Sequence, residues 1–384
     1  MRRLRLAMVG GGRGAFIGGV HRMAARLDDR FTLVAGALSA DPEKARASGA
    51  DLGLHPERAY ADYAAMIAGE RARADGAEVV SIVTPNHAHH APAKASLEAG
   101  LHVICDKPLA LTVEEAEDLA DVARRTGRVF VLTHNYSGYP MVRQARAMVA
   151  AGEIGPVRVV QVEYPQDWLS APLEATGQKQ AEWRVDPSRA GMGGSLGDLG
   201  THAHQILEYV TGLRVEAVLA DAQSFVTGRR VDDNAHLLLR LSGGARGMMW
   251  TSQVAPGNDN ALRLRVYGER GGLEWAQEHP NQLRHAPLGE APRMLARGVG
   301  ALSPAAAHAT RIPSGHPEGY LEAFAILYRD AAERILALEE GREPDPLCTT
   351  TPTVADGLRG MRFVRAAVIS SRAGGVWKAL DVPT

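Results

Sequence analysis

The chain is poor in the residues that staple small secreted domains or anchor a protein in lipid. It has two cysteines, Cys105 and Cys348, which cannot build a disulfide framework and lack the spacing of a metal-binding set. Aromatic residues make up only 5% of the 384. No apolar run approaches the ~20 residues that a bilayer-spanning helix needs. Charge of either sign is not in excess: 43 Lys and Arg face 44 Asp and Glu, for a net charge of −1. A global basic field that would hold nucleic acid or an acidic membrane is therefore excluded. The start, Met1-Arg2-Arg3, leads into Leu4–Val9 and a glycine cluster, without the apolar segment and small-residue cleavage site of a secretion signal. With so little cysteine, the expected location is the cytoplasm.

What remains is an ordinary globular composition, 45% apolar and 23% charged, with 41 glycines and 21 prolines as its one excess. At roughly 100–200 residues per domain, the length predicts two domains. Strand-like runs occur at Arg5–Val9, Thr32–Leu38, Val79–Thr84, His102–Cys105 and Val129–Thr133. Helical patterns lie between them. Thr112 and Glu115 form a capping box, Ala116, Leu119, Ala120 and Ala123 repeat at helical spacing, and Gly127 ends the pattern. Strands alternating with helices predict a parallel sheet, and such sheets bind ligands at the carboxyl ends of their strands.

The first strand runs into Gly10-Gly11-Gly12-Arg13-Gly14-Ala15. Gly10, Gly12 and Ala15 fit the dinucleotide fingerprint: a tight turn, a backbone that can approach pyrophosphate, and a small residue where helix meets sheet. Arg13, Gly14, Phe16 and Ile17 complete the cofactor-facing set, although Gly18 could take the third small position. The second strand ends at Ser39, where an acid usually grips the ribose, and no Arg follows to hold a 2′-phosphate. This favours NAD over NADP. Thr84-Pro85-Asn86-His87 and His90 follow another strand, and Asp106-Lys107-Pro108 follows the next. Three histidines within four residues, His87, His89 and His90, cannot converge on one metal from a short helix start, so no metal is expected. Pro108 keeps Lys107 out of the helical region at the strand tip.

Further on, Asp198 and His202 are four residues apart at a helix start after a glycine-rich loop, a carboxylate and an imidazole suited to moving a hydroxyl proton. Tyr136, Tyr139, Gln166, Trp168 and Arg184 are the candidate substrate-binding residues, offering aromatic faces for apolar C–H groups and polar groups for hydroxyls. Two hairpins are expected, Ala235–Leu241 with Arg246–Val254 and Leu262–Tyr267 with Leu273–Ala276. Residues 286–313 read as a long loop, a lid or an interface arm. His316 is expected to start the helix bearing Tyr320 and Phe324, and a scaffold helix is expected near 355–372.

The glycine turn, Thr84-Pro85-Asn86-His87, Asp106-Lys107-Pro108, Asn135-Tyr136 and Gly194-Ser195-Leu196-Gly197-Asp198-Leu199-Gly200-Thr201-His202 together resemble the glucose-fructose oxidoreductase / inositol dehydrogenase (Gfo/Idh/MocA) family over nearly the whole chain. That resemblance implies an N-terminal Rossmann domain, residues 1–135, and a C-terminal α/β domain on an open, largely antiparallel sheet, residues 136–384. It implies that Lys107, Asp198 and His202 are catalytic and that Asn135 joins the cofactor site. It also implies a homo-oligomer, dimer or tetramer, formed through that sheet. Asp106 stands where the family usually has Glu. The Trp-Arg and Tyr-Pro-Gln-Asp-Trp segments resemble the levoglucosan-dehydrogenase branch, which oxidises a pyranose hydroxyl at C3. The expected activity is hydride transfer between NAD and a secondary hydroxyl of a sugar, anhydrosugar or polyol. His202 is the assigned base and Lys107 stabilises the reacting oxygen, although Lys107 can itself act as the base. The same residues would also serve a glycoside hydrolase or lyase working through transient oxidation. A non-catalytic sensor of cofactor or sugar would be expected to lack them.

Overall fold

The computed structural model describes residues 2–380. They pack as two compact units. The first comprises residues up to Gly138 together with Tyr320–Leu358, and the second comprises Tyr139–Gly319 together with the residues from Arg359 onward.

The first unit is built on five parallel strands: β1 (Leu4–Gly10), β2 (Phe31–Ala37), β3 (Val79–Val83), β4 (His102–Cys105) and β5 (Phe130–Leu132), in the order β2-β1-β3-β4-β5. Between them run α1 (Phe16–Leu27), α2 (Pro42–Asp51), α3 (Tyr63–Arg71), α4 (His90–Glu98) and α5 (Val113–Thr126). The capping box of α5 forms as read from the sequence, and Gly127 closes it at φ 62°, a left-handed conformation that glycine adopts without penalty. β3 is buried along its whole length, as a central parallel strand covered on both faces should be.

The sequence assigns everything from residue 136 onward to the second domain. The packing instead returns Tyr320–Glu340 to the first unit. This helix buries Phe324, Leu327, Tyr328, Ala331 and Ile335 against Leu4, Leu6, Val20, Ala24, Val79 and Ile104. Its apolar positions are the complement that the exposed side of α1 and the sheet would otherwise lack.

The second unit carries α6 (Pro140–Ala150), β6 (Val157–Pro165), the short helices α7 (Lys179–Arg184) and α8 (Pro187–Ala190), and α9 (Thr201–Thr211). β7 (Val215–Gln223), β8 (Asn234–Leu241), β9 (Arg246–Ser252), β10 (Arg263–Gly268), β11 (Gly271–Ala276), β12 (Gln282–Pro287), β13 (Arg293–Ala296) and β14 (Lys378–Ala379) complete a nine-stranded sheet, β13-β12-β11-β10-β6-β9-β8-β7-β14. Every neighbouring pair is antiparallel except β6 with β9. Both expected hairpins form, β8–β9 and β10–β11.

One face of this sheet alternates cleanly out of the core. His236 pairs with Trp250, Leu238 with Met248 and Arg240 with Arg246 on that face, and Val159 and Tyr267 continue it on β6 and β10. Leu238, Met248, Tyr267 and Val159 are all exposed there. The segment expected as a long loop, 286–313, holds β13 and α10 (Pro304–Ala309). Buried Arg297 fixes its end by bonding Asn281 and Glu318. His316 does not begin a helix: it sits in the turn before Tyr320, and its carbonyl accepts from Arg297. The helix expected near 355–372 spans Val354–Arg372.

Candidate active site

In the first unit the glycine turn has the geometry that a dinucleotide requires. Gly10 and Gly11 have φ of +81° and +74°. A Cβ on Gly12 would lie 2.5 Å from the Leu38 carbonyl and 2.7 Å from Ser48 Oγ. The backbone N–H of Gly12 donates to Leu38 O and that of Arg13 to Ser48 Oγ, which locks the turn onto the β2 side. The α1 N-terminus, at Ala15 and exposed Phe16, has no side-chain cap and no acid in its first turn, so its positive end is available to an anion. The Arg13 side chain turns outward to grip Asp51 at 2.5 and 2.7 Å. Ile17 packs against the core. Ser39 lies at the β2 tip, where its Oγ accepts the Asp41 N–H at 3.2 Å. Asp41 itself is the N-cap of α2.

The tips of β3 and β4 are tied together by a residue outside the expected set. His89 is fully buried, with Nδ1 2.7 Å from the Pro108 carbonyl and Nε2 2.8 Å from the Thr84 carbonyl. Burial pushes its pKa down, against the Asp106 carboxylate and the two carbonyls. Thr84 Oγ1 donates to Ala88 O, which closes the Pro85-Asn86-His87 turn; Asn86 is buried and His87 exposed. His90 points its Nε2 to Asp118 of α5 at 2.6 Å, where Lys94 also bonds.

Asp106, one methylene shorter than the family's Glu, folds back under Lys107. It accepts the Lys107 backbone N–H and Thr133 Oγ1, both at 3.0 Å, and His21 Nε2 lies 3.8 Å away. Burial alone would raise this carboxyl; His21 and Lys107 outweigh it and hold the pKa at about 2. Behind it, His21 Nδ1 meets Tyr328 Oη at 2.8 Å, and Tyr328 meets Ser81 Oγ at 2.8 Å. The peptide between Lys107 and Pro108 is cis. Asn135 and Tyr136 are buried in the short 3₁₀ turn that follows β5.

In the second unit, Asp198 and His202 do not lie on one turn of an ordinary α-helix. Leu196–Gly200 is a π turn that leads into α9. A π turn inserts an extra residue and changes which side chains share a face, a feature frequent at functional sites. Asp198 Oδ2 accepts from Arg184 Nε and from Gln253 Nε2, both at 3.2 Å. Arg184 also donates to Gln180 Oε1 at 2.5 Å, and its guanidinium stacks 4.3 Å from the Trp183 ring and 5.8 Å from that of Trp168. Trp168 Nε1 donates to Gln166 Oε1, and Gln166 Nε2 donates to Asn260 Oδ1, which also accepts from Tyr164 Oη. The Tyr164 ring meets the buried His202 edge-on, with centroids 6.1 Å apart. One continuous cluster therefore runs from Asp198 through Arg184, Trp168 and Gln166 to Tyr164 and His202. Tyr139 is placed elsewhere, buried against Trp275 with centroids 5.4 Å apart.

Sequence reading missed Gln180, Gln253, Asn260 and Asp232. Gln180 had a signal, four residues before Arg184 on one helix; Gln253 and Asn260 come from irregular segments with no motif. Asp232 receives the Gly194 and Leu196 N–H groups at 2.8 Å and Ser195 Oγ at 2.6 Å, and so holds the glycine loop from below. Burial raises its pKa against those three donors.

A parallel sheet with a phosphate-compatible glycine turn defines a dinucleotide-dependent enzyme, and the comparisons agree. Residues 4–145 match the oxidoreductase family with an NAD-binding Rossmann fold, and residues 142–274 match the GFO/IDH/MocA C-terminal domain. The chain belongs to the Gfo/Idh/MocA family and is an NAD-binding oxidoreductase. An uncharacterized oxidoreductase of Bacillus subtilis, YfiI, is 38% identical over 379 residues, covering 97% of this chain and 96% of that protein. The crystal structure of an inositol dehydrogenase homolog from Azotobacter vinelandii, complexed with NADH and myo-inositol, is 42% identical with a TM-score of 0.91 and 98% coverage of both chains. A levoglucosan dehydrogenase of Pseudarthrobacter phenanthrenivorans is 29% identical over 418 residues, covering 100% of this chain and 99% of that protein. Among the described residues no helix is long and apolar enough to cross a membrane.

Proposed function

We propose that the protein oxidises a secondary hydroxyl of a neutral cyclic polyol or sugar, with pyranose C3 as the reacting position for a sugar. The observation that carries this reading is the Asp198–Arg184–Trp168–Gln166–Asn260 cluster. Its amide, carboxylate and guanidinium groups suit ring hydroxyls, and its indole faces suit ring C–H groups. The relatives that carry inositol and levoglucosan in their names support the same substrate class.

The glycine turn, Ser39, the Thr84–His87 turn and the Asp106–Pro108 tip are the groups that would hold NAD. NAD, when bound, supplies the acceptor for the hydride. His202 takes the hydroxyl proton at its imidazole, and Asp198 orients the donors that hold the substrate. Lys107 stabilises the charge that develops on the reacting oxygen. Its backbone is fixed by Asp106 and by the His89 bridge. We also propose that the exposed sheet face carrying Leu238, Met248 and Tyr267 is covered by a second copy of the chain, since contiguous apolar patches on a sheet mark interaction surfaces.

The test is a panel of inositols, levoglucosan and glucosides with NAD, read by NADH absorbance and product analysis. Net NADH formation with an inositol or anhydrosugar is expected. Aglycone release from a glucoside without net NADH would replace this reading with the hydrolase or lyase reaction.

A further inference from the structure

The strands of the first unit are parallel, so their amino ends gather at the pole opposite the glycine turn. There, a cavity of about 350 Å³ opens beside the start of β4. Its wall includes Arg5, Arg71, Glu78, His102, Arg128 and Glu339. His102 is only 2% exposed, and its Nδ1 accepts the Val129 backbone N–H at 3.0 Å. That bond fixes the tautomer of the neutral ring. Nδ1 carries the lone pair, so Nε2 carries the hydrogen and is a donor. Nε2 has no hydrogen-bond partner among the described residues, and His102 lines the cavity.

The carboxylates around the cavity are already matched. Glu78 accepts from Arg2 at 2.6 Å and from the Arg5 N–H at 2.8 Å, and Arg2 also engages Glu339. Arg58 grips Glu70, and Asp75 holds Arg73 at 2.8 Å. Arg71 and Arg128 are left with no ion pair or hydrogen bond among the described residues. Two uncommitted guanidiniums and one neutral N–H donor complement a dianion better than a monoanion, and guanidinium geometry suits phosphate oxygens.

We infer that this cavity binds a phosphate dianion, as free phosphate or as the head of a small phosphomonoester, through Arg71, Arg128 and His102 Nε2–H. The space exceeds one phosphate group, so the monoester should bind more tightly. The experiment is calorimetric titration of the full chain saturated with NAD, which fills the glycine turn that would otherwise compete. Inorganic phosphate, glycerol 3-phosphate and acetate are compared at constant ionic strength. One phosphate or phosphomonoester per chain is expected, with glycerol 3-phosphate the tighter, and acetate should bind at least tenfold more weakly. The double variant Arg71→Ala/Arg128→Ala, altered only at exposed side chains, should lose at least tenfold in affinity. Absence of saturable binding by both phosphate compounds would overturn the proposal. So would equal affinity in the double variant, or acetate binding as tightly as phosphate.

Discussion

At the scale of single residues, the proposed roles of Lys107 and His202 come first to a test. Replacing either by Ala should lower turnover by roughly 10²–10⁴ while NAD affinity stays nearly unchanged. Steady-state kinetics beside a fluorescence titration with NAD checks this, and wild-type turnover in both variants would remove the assignment. His89 gives a subtler outcome. It touches two backbone carbonyls on two strand tips, so His89→Ala should loosen the Lys107 peptide. Turnover should fall and its pH profile should move, with partial rescue in His89→Gln. Lys107, Asp198 and His202 can be proposed from sequence because they stand in motifs. His89 was visible as a residue but not as a brace, since the carbonyls it joins, at 84 and 108, are distant in sequence. Tyr139 looked like a sugar-binding ring, yet the structure buries it against Trp275; sequence cannot say which side of an aromatic faces the core.

At the scale of elements, acid stability follows from His102, kept neutral in the first unit. Burial, then Arg128, lowers its pKa from 6.5 to about 4. The folded-state pKa lies below the unfolded one, so the unfolded chain binds the proton first as pH falls. The stability His102 contributes is whole above about pH 6.5 and is lost progressively towards pH 4. Urea midpoints should be flat from pH 7 to 8 and drop below 6.5, with a smaller drop in His102→Gln. A midpoint that rises on acidification would contradict the assignment. The β-strands, the α5 cap and both hairpins were readable because they depend on local periodicity and turn chemistry. The π turn at Leu196–Gly200 and the ordered 286–313 segment were not. Asp232 holds the first from elsewhere in the chain, and the second is tied through its own Arg297 to Asn281 and Glu318 outside it. Asp232→Ala should therefore destabilise the fold by about 1–3 kcal/mol, as buried N–H groups lose their acceptor. It should also reduce activity more than a surface change of equal cost; denaturant melts paired with kinetics separate the two effects.

At the scale of the whole molecule, the exposed rows on β6, β8, β9 and β10 should govern assembly. Leu238→Glu combined with Met248→Glu places charge at two paired positions of that face. Sedimentation velocity should show a lower oligomeric state than wild type, with secondary structure retained. An unchanged sedimentation coefficient would mean that this face is not the interface.

The return of Tyr320–Glu340 to the first unit has a consequence for the order in which the protein can be made. A ribosome delivers residues 4–138 long before it delivers Phe324, Leu327 and Ile335. During that interval Val20, Ala24 and Leu6 lack the helix that covers them. The nascent nucleotide-binding half must therefore wait, held or partly folded, for nearly two hundred further residues. A chain cut after Gly138 should emerge sticky rather than functional, although its strands and its glycine turn are all present.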